Sequence, residues 1–515
     1  MTRPVPSAGG TYSEGVVGQP AYVNPLLSQT SEADADIAGI IYSGLFSYDA
    51  EGQLQPSLAD HYDVSEDGMT YTITLKDNVK WHDGQDLTAD DVAFTFNIVQ
   101  DPAYKSPLRQ NWQGVEVSAA DARTLMFSLK KPYFGFLENL TVGILPKHIW
   151  ENIAPEKFAL AEYNLSPIGS GPYQFSGFKK DSNGNILTYE LRAFPCYFAQ
   201  APYISKLIFH FYVDGDEMVD AYNRREVLGV SNVVADQESK LQDRKSTHIS
   251  ELHQPRLFSV FFNATKSVSL AHQEVRQALA YGTNRKEIID QVLNGHGEPI
   301  ASPFLSQMKG FSEDGTADVF DRERATSLLD NNGWEMKDGV REKGGTQLAF
   351  TLTTPDWPEL VKTADILRKQ WETLGARVDV RVLGVSDLQQ NALRPREYDA
   401  LLFGEATSFN SDPYSFWHSS QKHDPGLNLS MFDNKDADDL LAQARETLND
   451  DRLGKYRQFR DIVLDEMPAV FLYTPSYLYV VNSQVQGIET QDINTPSNRL
   501  QGITSWYMET DRVRK

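Results

Sequence analysis

The stretch GLFSYDAEGQLQPSLADHYDVSEDGMTYTITLKDNVKWHDGQDLTADDVAFTF, residues 44–96, carries two periodicities in succession. Tyr71, Ile73 and Leu75 alternate after the Asp67-Gly68 turn, and Val79 and Trp81 alternate before Asp83-Gly84, which predicts a hairpin with one buried face. Thr88 then opens Thr-x-x-Asp ahead of Val92, Phe96 and Val99 at helical spacing, a capped amphipathic helix. Strands followed by a helix, with more of each on both sides, make the chain an α/β protein.

Toward the N-terminus, NPLLSQTSEADADIAGIIYSGLF (24–46) sets Ile37, Ile40, Ile41, Gly44 and Leu45 on one helical face, behind Ser31 and the acids Glu32, Asp34 and Asp36. Toward the C-terminus, 115–129 reads as a second hairpin, and Pro146 opens a short helix ending near Ile153. SPIGSGPYQFSGFKKDSNGNILTYELRAF (166–194) places two strands about Asn183-Gly184, the dipeptide of a type I′ turn. The same segment is no calcium loop, because with Asp181 as position one Gly184 stands fourth instead of sixth and Arg192 occupies the place of the bidentate Glu.

The second half is richer in helices. Val275, Ala278 and Leu279 begin one, and Asn284-x-x-Glu287 caps the next, which carries Ile288, Ile289, Val292 and Leu293. Leu328 and Leu329 precede Gly333. Leu360, Ala364, Leu367, Trp371 and Leu374 precede Gly375, and Val378, Val380 and Val382 then alternate. Helix, C-terminal glycine, strand is an α/β crossover. Two more helices, Leu440 to Leu448 and Leu453 to Met467, stop at Pro468 before the buried strand AVFLYT.

At 515 residues the chain exceeds what one core holds, so two or three domains are expected. Lys and Arg total 48 against 71 Asp and Glu, a formal charge of 48 − 71 = −23, which repels nucleic acid and anionic lipid. The single cysteine, Cys196, forms no internal disulfide and is expected to fill a small core position. No apolar run reaches the roughly 18–20 residues of a membrane span, and MTRPVPSAGG at the N-terminus has neither an apolar export core nor a lipid-accepting cysteine. The aromatics, 23 Tyr, 26 Phe and 8 Trp, fill a core or line a cleft.

Catalytic and metal signatures are absent. None of the ten histidines forms H-E-x-x-H, and the closest pairs, His248/His253 and His418/His423, are five apart and off a common helical face. Gly169-Ser170-Gly171 is not a nucleophile elbow, and no phosphate-binding glycine loop occurs. No catalytic residue, metal or cofactor is expected. Trp81, His82 and Asp83 read as a turn packed on the following helix.

The chain is similar along nearly all its length to the extracytoplasmic solute-binding proteins of ATP-binding-cassette importers, in the dipeptide/oligopeptide and nickel-binding family. Five stretches in order carry the resemblance: residues 44–96, PIGSGPYQF (167–175), VRQALAYGTNRKEIIDQVLNGHGEP (275–299), ATSLLDNNGW (325–334) and DEMPAVFLY (465–473). The resemblance implies an α/β protein of two lobes that close over a solute by a hinge, plus an extra α/β domain inserted in the first lobe. Lobe I would comprise 10–48, 168–263 and 489–515, the extra domain 49–167 and lobe II 264–488, with crossings near Asn263 and Gln486. Such proteins work outside the cytoplasm as monomers, deliver peptides or other small solutes to a membrane permease, and hydrolyse nothing. A peptide sensor or holdase without a transporter shares the fold, as does a binder of a nickel complex.

The resemblance also implies a site. The loop before the first helix, Gln29, Thr30, Ser31 and Glu32, would offer contacts to a ligand backbone, or serve only to cap that helix. SVFFNAT (259–265) would bring Phe262 and Asn263 to the cleft, and LLFGEATSFNSDPYSFW (401–417) would face the ligand. There the family's peptide binders hold the α-ammonium with an Asp shortly before an acid-Pro pair. Here the positions reached by counting from either end hold Phe409 or Ser408, so Glu405 or Asp412 would have to take that role. Gly404 and Ala406 flank Glu405, and Trp417 and Tyr473 are cleft walls or core residues.

Overall fold

The computed structural model describes residues 2–242, 245–308, 310–311, 320–410 and 412–514. The chain forms two compact units, Met1–Gln254 with Tyr477–Lys515, and Pro255–Ser476. The units divide at 254/255 and 476/477, where the resemblance implied crossings near Asn263 and Gln486. The reason is pairing: Arg256–Phe262 is hydrogen-bonded on both sides, to Ala400–Ala406 and to Ala469–Asn482, so it is an inner strand of the second unit and not a linker. Gln486 pairs reciprocally with Tyr507 inside the first unit.

In the first unit, Thr11–Val17 runs parallel to Lys206–Tyr212 and to the short Gly229–Val230. Ile186–Ala193 and Tyr173–Lys180 extend the sheet antiparallel beyond Lys206–Tyr212. The turn between those two outer strands departs from type I′. Gly184 has φ 90° but Asn183 keeps a negative φ, and Asp181 Oδ1 accepts the Asn183 and Asn185 amides at 2.8 and 2.9 Å. A type I′ turn needs positive φ at both central residues, whereas this loop is organised by an acid. Cys196 is exposed: Phe194 is the last side chain to turn inward before the chain leaves the sheet.

Glu32–Ile41 is the predicted helix, with Ile37, Ile40 and Ile41 buried, and it stops short of Gly44 because Tyr42 is extended. Its C-terminal end meets the Gly-Ser-Gly of PIGSGPYQF. A Cβ on Gly169 would lie 2.0 Å from the Ile41 carbonyl oxygen, and one on Gly171 would lie 2.1 Å from that of Ile40, so only glycine allows this approach. His82 locks the other side, with Nδ1 accepting the Gly169 amide at 3.1 Å and Nε2 donating to the Gly171 carbonyl at 3.0 Å. Residues 49–167 lie in this unit and build a separate antiparallel sheet in the order Ala59–Val64, Thr70–Leu75, Thr124–Ser128, Glu116–Ala119. The helix Ala89–Gln100 packs on it through Phe96, stacked on Trp112 at 4.0 Å, and carries the predicted Thr88/Asp91 capping box.

The second unit is a mixed sheet in the order Arg377–Leu383, Ala349–Pro355, Ala400–Ala406, Arg256–Phe262, Ala469–Asn482. Ala349–Pro355 is parallel to both of its neighbours. The helix Pro358–Glu372 makes the crossover, burying Leu360, Ala364, Leu367 and Trp371, and Gly375 at φ 87° turns the chain into the next strand. Asn284 caps Arg285–Val292 by accepting the Glu287 amide.

Candidate functional site

The first unit contains a cavity of about 690 Å³, within the range of small-molecule sites. Gln29, Thr30, Ser31 and Glu32 form part of its wall. Ser31 does cap the helix, accepting the Asp34 amide at 3.3 Å, and the Gln29 side chain donates to the Pro25 carbonyl at 2.6 Å. Thr30 is exposed at the rim, and the Glu32 carboxylate accepts from the Tyr477 hydroxyl at 2.9 Å. Residues 495–498 and 500–504, which sequence reasoning missed, form another part of the wall, joined by Tyr42, Tyr48 and Tyr197. The available signal was Thr495-Pro-x-Asn498, a capping pattern that opens the 3₁₀ turn Pro496–Leu500. Among the described lining residues, Glu32 alone carries a formal charge; the rest offer hydroxyls, amides, apolar side chains and rings.

A buried ion cluster fixes the two walls. Arg499, fully buried, donates from Nε and Nη2 to Glu14 Oε1 at 2.9 and 2.6 Å and from Nη1 to Asp36 Oδ1 at 2.7 Å. Glu14 Oε2 also accepts from the Tyr12 and Tyr479 hydroxyls at 2.7 and 2.8 Å, and Glu32 lies 3.7 Å from the guanidinium. Burial holds the Asp36 carboxyl above its ordinary range against the pull of Arg499. Asp36 lies on Glu32–Ile41, Arg499 on Pro496–Leu500 and Glu14 on the central strand, so the cluster ties the cavity to the sheet.

The second unit holds the other candidates. Phe262 is 1% exposed and packs near Trp371. Asn263 is turned inward, its amide donating to the Arg396 carbonyl at 3.0 Å and its oxygen accepting from Thr265, so its polar atoms are committed within the unit. Trp417 is a core residue, ringed by Phe261, Phe432, Phe459 and Phe471 at 5.8–6.4 Å. Tyr473 is equally internal, 5.3 Å from Phe258 with its hydroxyl 3.3 Å from Thr363. Phe262 and Asn263, expected at the cleft, and Trp417 and Tyr473, expected as cleft walls or core residues, are all buried.

Gly404 faces Phe258, whose ring would stand 2.8 Å from a Cβ there, and Ala406 is exposed. Phe409 is buried. Asp412 is paired with Arg445 Nε at 2.6 Å and accepts the Tyr414 amide at 3.1 Å. Glu405 is the exception. It is 3% exposed, its Oε1 has no hydrogen-bond partner among the described residues, and burial pushes its carboxyl up to about 8. Asp412 already has a cation; no described residue offers one to Glu405.

The chain is 27% identical over 514 residues to the oligopeptide-binding protein AppA of Bacillus subtilis (strain 168), a match covering 98% of this chain and 92% of that one. The solved structure of that protein in complex with a nonapeptide superposes with a TM-score of 0.74 at 26% identity, over 98% of this chain and 100% of that one. NikZ from Campylobacter jejuni in complex with Ni(L-His) superposes with a TM-score of 0.76 at 26% identity, over 96% and 99%. Two α/β units, one with a cavity of mixed polar and apolar lining, are the frame of a solute-binding protein, the class these likenesses define. Residues 53–428 match the bacterial extracellular solute-binding proteins, family 5, and the chain belongs to that family.

Proposed function

We propose that this protein captures peptides, or peptide-like solutes with a free amine, outside the cytoplasm and delivers them unchanged to the permease of an ATP-binding-cassette importer, acting as a monomer. The observation that carries this reading is the 690 Å³ cavity, whose hydroxyls and amides suit the donors and acceptors of a peptide backbone and whose rings suit variable side chains. Relatives named for oligopeptides and dipeptides support it. The amine's partner in this reading is Glu405, a buried carboxyl with no cation beside it among the described residues. Gln29, Thr30, Ser31 and Glu32, which line the cavity, are the proposed contacts to the ligand backbone.

The test is a melting-shift screen of di- to hexapeptides alongside Ni(L-His) and a sugar. A filled site stabilises the native state by mass action, so peptides are expected to raise the melting temperature without being cleaved. A shift with Ni(L-His) and none with any peptide would assign the other ligand class found among the relatives.

A further inference from the structure

Glu405 lies opposite Leu257 in the strand ladder and shares a sheet face with Leu257, Ser259 and Phe261. Trp417 covers that face beside Phe261, and Ala406 one residue on is exposed, so the carboxyl is buried at the last inward position of its strand. Two polar atoms here lack hydrogen-bond partners among the described residues: Glu405 Oε1 and Ser259 Oγ, the latter on a residue with 0% exposure diagonal to Glu405 across the ladder.

The charged groups of the surrounding elements are committed elsewhere. Arg256 is on the opposite face by strand alternation and stacks 4.8 Å over Phe258. Asp412 is paired with Arg445, and Arg452 donates to Asn410 and Asn449. Tyr473 also belongs to the opposite face, beside Phe258. Burial alone acts on Glu405, so its proton is retained at neutral pH in the empty protein. An ammonium brought against it reverses that balance, because it supplies both the opposite charge and N–H donors for the unpartnered oxygen.

We propose that an amine ligand seats on Glu405 by displacing its proton to solvent, so that capture of the ligand is coupled to release of one proton. This rests on the reading of Glu405 as the amine's partner. The step balances as R-NH3+ plus Glu405-COOH giving the ion pair R-NH3+ with Glu405-COO−, plus one H+ to water. Linkage then sets the direction. Below the pKa of the empty site, affinity rises with pH, up to about tenfold per unit, until the ligand's own α-ammonium begins to deprotonate near roughly pH 8. Glu405→Gln removes the titrating group and leaves a neutral side chain of the same shape.

The experiment is calorimetry of the native protein with tri-alanine at pH 6 in buffers of different ionisation enthalpy, repeated with N-acetyl-tri-alanine and with Glu405→Gln. The expected result is release of about one proton with tri-alanine, and none with the acetylated peptide or the variant. An infrared titration of the empty native protein is expected to show a buried carboxylic acid band lost near pH 8 and absent from the variant. A proton release near zero, with affinity flat from about pH 5.5 to 7 although Glu405→Gln weakens binding, overturns the proton coupling and leaves the amine contact standing. Native binding reproduced by Glu405→Gln, or no binding of tri-alanine at millimolar concentration, overturns the reading of the site itself.

Discussion

Arg499→Met removes the guanidinium from a cluster in which Glu14 and Asp36 are each 1% exposed. Arg499 makes five hydrogen bonds, two to Glu14, two to Asp36 and one to the Pro496 carbonyl. Methionine fills much of the volume but leaves two carboxyls adjacent in a desolvated site. Removing one partner of a buried pair costs about 3–5 kcal/mol, which for a unit of this size is a drop of roughly 5–15 °C in its unfolding transition. The loss depends on pH. In the variant Asp36, which burial already holds above its ordinary range, loses the cation that opposed that shift, so its contribution to stability is retained below the unfolded carboxylate range and lost as pH rises. The gap between native and variant is therefore expected to be smaller at pH 5 than at pH 8. Adding Glu14→Gln and Asp36→Asn to the variant is expected to restore much of the stability, because a whole buried ion cluster is often replaceable by neutral groups. Scanning calorimetry and urea unfolding of the three proteins at both pH values measure this. A loss under about 1 kcal/mol, or a gap of equal size at pH 5 and pH 8, would refute the argument that these charges hold the cavity walls to the sheet.

Glu405→Gln is expected to weaken binding of a free-amine peptide by roughly 2–4 kcal/mol while leaving its N-acetylated form unaffected, measured by calorimetry. Gly171→Ala drives a Cβ to 2.1 Å from the Ile40 carbonyl oxygen and is expected to cost about 1–3 kcal/mol or more in urea unfolding, whereas alanine at Gly177, where nothing lies within 4 Å, serves as control. Burial lowers the His82 pKa to about 4, so the unfolded chain binds a proton that the folded one refuses. Stability is expected to fall between about pH 6.5 and 4 by up to about 3 kcal/mol on this account, and a His82→Gln variant, whatever its stability at pH 7, should show a shallower fall. Peptide affinity should change little between about 0.05 and 0.5 M salt, since the cavity lining is nearly neutral and the Glu405 contact is buried beyond effective screening; a steep decline would indicate a polycationic ligand.

Local pattern was readable where its cause is local. The buried stripe of Pro358–Glu372, the Thr88 capping box and the Asn284 cap depend on residues three or four apart, and the structure has all of them. The parallel pairing of Thr11–Val17 with Lys206–Tyr212 depends on sheet order, which no nearby residue encodes. Arg499 meets Glu14 and Asp36 across 485 and 463 residues, so the group that organises the cavity has no sequence signature. Cys196 misled because a lone cysteine carries no pattern, and its exposure follows from where the strand Ile186–Ala193 ends.

The site divides along the same line. Gln29 to Glu32 came from resemblance and do line a cavity, but 495–498 and 500–504, which line it too, come from a segment whose only local signal was a cap. Phe262, placed at the cleft by resemblance, is buried, as are Trp417 and Tyr473, for which core packing was the other reading, because large rings contribute most where they are fully desolvated. Glu405 inverts that logic. Its strand neighbours Leu401, Leu402 and Phe403 explain why the position is buried, but an apolar residue would serve such a position better than an acid. Asp412 has Arg445, and Arg499 has Glu14 and Asp36, so each of those charges is accounted for inside the fold. No described residue offers Glu405 a countercharge, and a buried acid that packing disfavours and no cation rewards is the kind of position a ligand's charge would explain.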